Sequence, residues 1–113
     1  MCTAKTTEVA KMVQRGVDRC DAAILRVRRG KASRPADMAR QCERIADLFD
    51  RKARWWAALV ERSVREDGIP WAYVKAAIAA QSSAEQFASA YRTYSRRWQR
   101  MAAQALEAKA VAV

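Results

Sequence analysis

Apolar residues recur at Met38, Cys42, Ile45, Phe49, Trp56 and Leu59, in steps of 4, 3, 4, 7 and 3. This is the a/d spacing of a packed helix, with one skipped position at Lys52. Leu48, Ala53, Trp55, Val60 and Val64 lie beside the stripe and widen it, so a helix over 35–67 can touch more than one neighbour. At about 1.5 Å per residue such a helix is roughly 50 Å long, which predicts an elongated molecule organised around it.

A second stripe, Val9, Val13, Val17, Cys20, Ile24 and Val27, predicts a helix over 7–29. Thr6 or Thr7 offers a capping hydroxyl and Gly30 a stop. Gly16 inside it either weakens the helix or admits a close neighbour. The connection 31–34 is short and Pro35 suits a first helical turn, so the first two helices are expected to run antiparallel. Gly68, followed by Ile69 and Pro70, reads as the C-cap of the middle helix. Glu66 and Asp67, at its unfavourable carboxyl end, either meet a cation or mark fraying.

A short helix is expected over 71–81, with Trp71, Val74 and Ile78 on one side. Ser82 and Glu85 then form a capping box that opens a last helix over 83–108. Its stripe is Phe87, Tyr91, Tyr94, Trp98, Met101 and Ala105, and helical spacing by itself assigns those aromatics to the core. The tail from Glu107 onward is expected to fray. With three Gly, two Pro and 113 residues, the chain reads as one all-α domain. Its expected architecture is an elongated antiparallel bundle of three long helices and one short one, packed heptad-fashion.

Charge changes the picture from architecture to partner. The 22 basic residues, 16 of them Arg, exceed the 12 acidic ones by ten. Such an excess favours an anionic partner, nucleic acid above all, unless it reflects composition alone. The balance is +6 over 1–34, zero over 35–68 and +4 over 69–113. In the middle helix, Asp47 with Arg51, Asp50 with Arg54 and Glu61 with Arg65 are spaced to neutralise one another. Arg92, Arg96 and Arg100 instead form a column four apart, beside Arg97, with no acid three or four residues away. Arg26, Arg28, Arg29, Lys31 and Arg34 form a second cluster around the first turn. If the last helix runs parallel to the first, the two clusters meet as one basic face that follows a phosphate backbone without reading sequence. If the chain turns back at 71–81, they separate.

Chemistry narrows the reading further. There is no histidine, no P-loop, no GxGxxG and no HExxH, so no catalytic, cofactor or small-molecule site is expected. Cys2, Cys20 and Cys42 are unclustered and read as small core residues in a reducing, cytoplasmic setting, with no metal, no secretory signal and no membrane span. Ser83 to Gln86 carries no base-reading Arg or Lys, which argues against a helix-turn-helix. Trp55 and Trp71 are candidate anchors for a protein partner.

A small, basic, non-catalytic helical chain with an arginine ladder resembles the small α-helical subunits of CRISPR effector complexes. The resemblance covers size, class and charge and includes no motif. It implies a subunit, in several copies, that lies along a ribonucleoprotein filament beside other subunits and steadies RNA or DNA through its basic face. The competing readings are a phage- or plasmid-encoded inhibitor of a host protein and a free-standing nucleic-acid-coating protein.

Overall fold

A computed structural model describes residues 2–66 and 69–112, and of 2–7 the backbone alone. It contains three helices, α1 (Cys2–Arg29), α2 (Pro35–Arg65) and α3 (Trp71–Ala112). Among the described residues there is no strand. The all-α expectation holds and the count of four helices does not. The principal extents are 73 × 20 × 15 Å and the radius of gyration is 19.1 Å. A compact domain of this length would measure about 13 Å, so the molecule is a rod.

Cross-helix contacts run in opposite numerical order on both sides of α2. Val27, Asp21 and Gly16 of α1 meet Gln41, Lys52 and Trp55. On the other side, Ser95, Arg92 and Phe87 of α3 meet Ala39, Asp47 and Phe49. Both neighbours are therefore antiparallel to α2, and α3 runs parallel to α1. Among the described residues no Cα of α1 lies within 8 Å of one in α3. The middle helix is the spine that its stripe predicts.

The short helix and the capped one are a single helix, because Ser82 does not break it. The buried residues of α3 are Val74, Ala77, Ala84, Ala88 and Ser95, a seam stepping by 3, 7, 4 and 7 straight through the capping box. A break at Ser82 would rotate half of that seam off α2. Glu85 instead accepts a hydrogen bond from Gln81 Nε2 at 3.1 Å, within the helix. The helix also continues to Ala112, beyond the end expected near 108.

On α2 the buried residues include Ala39, Ala46 and Ala53, seven residues apart, with Cys42 and Ile45, and Ala39 meets Ser95 of α3. Ala46 and Ala88 are 0% and 1% exposed. Small side chains allow two helix axes to approach toward the short end of the usual range of about 8–10 Å. Ser95 Oγ donates to Ala39 O at 3.0 Å and accepts from Gln99 Nε2 at 3.1 Å, so this buried hydroxyl is satisfied.

The large apolar residues flank this seam. Phe49 stacks on Phe87 and Tyr91, at 5.1 and 5.8 Å between ring centroids, and Tyr94 meets Tyr91 edge-on at 5.8 Å. Yet Phe87 and Tyr94 are about half exposed. The aromatic stripe is therefore the rim of the core, not its centre.

On the α1 side, Val13, Val17, Cys20 and Ile24 are buried as expected. Gly16 is the point of closest approach, with Trp55 against it. Pro35 opens α2 as expected. α1 is already helical upstream of Thr6 and Thr7. The expected cap at Gly68 and the role of Asp67 lie outside the described residues, but Glu66 meets Arg62 at 2.7 Å.

Candidate nucleic-acid interface

Arg92 is the first departure from the expected ladder. From α3, Arg92 reaches three carboxylates of α2. Its Nη2 lies 3.2 Å from Asp47 Oδ1 and also bonds Asp50, while Nε lies 3.8 Å from Glu43 Oε1. The hydrogen bond to Asp50 is the largest cause holding the guanidinium proton more firmly than usual, with partial burial opposing it. Arg92 is therefore paired inside the molecule and clasps α3 to α2, unlike the acid-free ladder residue that the spacing predicts.

The clasp has a second consequence. Asp47 and Asp50 turn to Arg92, so the expected pairs with Arg51 and Arg54 do not form, whereas Glu61 and Arg65 do pair at 2.7 Å. Arg51 and Arg54 are exposed and, among the described residues, meet no carboxylate. Folding thus pairs one α3 cation with spine carboxylates and leaves Arg51 and Arg54 of the spine unpaired among the described residues.

The rest of the expected set divides. Arg96 donates to Thr93 Oγ1 at 3.2 Å, and Arg96, Arg97 and Arg100 are exposed and free of carboxylates among the described residues. Arg28 sits 6.0 Å over the Tyr91 ring, so it belongs to the aromatic side. Arg26 and Lys31 line a groove between α1 and α2, and Arg29 and Arg34 are exposed at the turn. The parallel course of α3 brings its carboxyl half toward the first turn, and Asp47, which pairs with Arg92, also lines the groove of Arg26 and Lys31, whereas Arg28 lies on the aromatic side.

The groove has a volume of about 780 Å³. Val27, Ala23, Leu48 and Gln41 are among its neutral lining, and Arg26, Lys31, Arg40, Arg44 and Arg51 supply five cations against two carboxylates, Asp37 and Asp47. Both acids are engaged, Asp37 with Arg40 and Asp47 with Arg92. Gln41 Nε2 donates to Val27 O at 2.6 Å and to Gly30 O at 3.3 Å, tying the end of α1 to α2 and setting the groove's shape. Arg44 and Arg51 escape a sequence reading because acids stand at helical spacing from them, and of the three basic residues Arg40, Arg44 and Arg51 only Arg40 does pair locally, with Asp37. Their spacing of four and seven, which places them on one flank of α2, is the signal that was there to find.

Of the two candidate partner anchors, Trp55 is half-buried against Gly16 and is a packing residue in this fold. Trp71, at the start of α3, is 64% exposed. Leu25, Phe87, Tyr94 and Met101 are also about half exposed. Lys52 lies 5.9 Å over the Phe49 ring and bridges Asp21 at 2.8 Å.

Among the described residues no group of His, Cys, Asp and Glu could hold a metal ion. Among the described residues no helix is long and apolar enough to cross a membrane. No protein-family model, curated protein or solved structure matches the chain.

Proposed function

We propose that this chain is a non-catalytic helical protein that binds the phosphate backbone of nucleic acid, as a small subunit of a ribonucleoprotein assembly of the kind found in CRISPR effectors. One observation carries the reading. Among the described residues, Arg26, Lys31, Arg44, Arg51, Arg54, Arg96, Arg97 and Arg100 are exposed and meet no carboxylate. Unpaired guanidinium groups repel one another and suit bidentate contact with phosphate.

The half-exposed apolar rim supports a protein neighbour within such an assembly. The same rim favours a second reading, an inhibitor that docks on a host protein through Trp71 and the aromatic residues of α3. Electrophoretic titration with single- and double-stranded nucleic acid at two salt concentrations separates the two. Backbone binding weakens steeply with salt. Absence of binding at low salt, or binding indifferent to salt, rejects the polyanion reading.

A further inference from the structure

We infer that the groove between α1 and α2, and not the arginine column of α3, is where the phosphate backbone sits. This rests on the nucleic-acid reading above and assigns its site. The column has lost Arg92 to Glu43, Asp47 and Asp50, which leaves it Arg96, Arg97 and Arg100. The groove keeps four cations. Its two carboxylates are each occupied, and Arg26, Lys31, Arg44 and Arg51 remain without acidic partners among the described residues.

The shape suits a strand of phosphates. Arg40, Arg44 and Arg51 lie along one flank of a straight helix, covering about 16 Å of rise from first to last. Arg26 and Lys31 come from α1 and the first turn, so cations approach the channel from two sides. The tie from Gln41 to Val27 and Gly30 holds those two sides in register, which lowers the ordering cost of binding.

A membrane surface fits less well. Interfacial helices need an apolar face next to their cations. Within the groove the apolar residues Ala23, Val27, Ala32 and Leu48 are each only partly exposed, so its cations do not border an open apolar face of their own.

The test compares two triple variants of the full chain, R26A/R44A/R51A and R96A/R97A/R100A, binding a fluorescein-labelled DNA duplex of about 20 base pairs across a salt series. All six side chains are exposed, and circular dichroism verifies that both variants keep their helicity. The groove variant is expected to lose about tenfold or more in affinity and to flatten the log–log salt slope by roughly 2 to 3. The α3 variant should change the slope by less than about 1. R26K/R44K/R51K, which retains the charge, should keep the slope. If the α3 variant flattens the slope and the groove variant does not, the groove assignment fails while backbone binding stands. If the unaltered chain shows no salt-dependent binding to duplex or single strand, both fail. Binding to phosphatidylserine vesicles with none to nucleic acid also overturns both.

Discussion

Trp55 occupies the space that a side chain at Gly16 would need. A methyl group built on Gly16 would penetrate the indole ring at Cε2, Cδ2 and Nε1. The glycine is therefore a matter of clearance, and the helix-propensity gain of alanine is outweighed by overpacking. Gly16→Ala should destabilise by about 1–3 kcal/mol, read as a lower Tm. Paired with Trp55→Ala, the loss should be smaller than the two single losses added together. Strict additivity would mean that the two residues do not interfere.

Arg92 holds together three carboxylates that stand on one flank of α2. Without it, Glu43, Asp47 and Asp50 repel at helical spacing. Arg92→Ala should cost about 1–2 kcal/mol, discounted for its partly exposed setting, and the deficit should shrink in high salt. Arg96→Ala should leave the Tm within roughly 0.5 kcal/mol of the parent. Equal effects from both substitutions would contradict the clasp.

The alanine seam reverses the order of importance suggested by side-chain size. Ala46→Leu and Ala88→Leu would each force α2 and α3 apart where there is no free volume, with an expected loss of about 1–3 kcal/mol or more. Phe87→Ala, at a residue that is 51% exposed, should cost less than the roughly 3–5 kcal/mol of a buried phenylalanine. Urea denaturation of the three variants gives the ranking directly.

Cys20 and Cys42 are buried free thiols, and burial is the main cause that raises the pKa of each. For Cys20 the neighbouring Arg51 partly offsets the rise. A thiol whose folded pKa lies above its unfolded one adds stability below the unfolded value, near about 8.5, and that stability is lost as pH rises toward the folded value. The Tm should therefore fall between about pH 8 and pH 10, and it should fall less in the double variant C20A/C42A. The same fall in both proteins would assign the effect to other groups.

Sequence periodicity alone determined the helical class, the elongated form, the spine, read as 35–67, and the buried face of α1. A repeat of apolar residues at 3.5 to 3.6 positions leaves few alternatives once Gly and Pro are scarce. It also supplied both possible reasons for Gly16, and only the position of Trp55 selected between them.

Tertiary packing decided the remainder. Continuity through Ser82 depends on whether Ala77 and Ala84 share a partner surface, which local capping chemistry does not encode. The fate of each arginine depends on carboxylates from another helix. Asp47 and Asp50 lie four residues before Arg51 and Arg54, but Arg92, more than forty positions away, holds them. Spacing specifies which charges are able to meet along one helix, whereas the approach of two helices along an alanine seam determines which ones do.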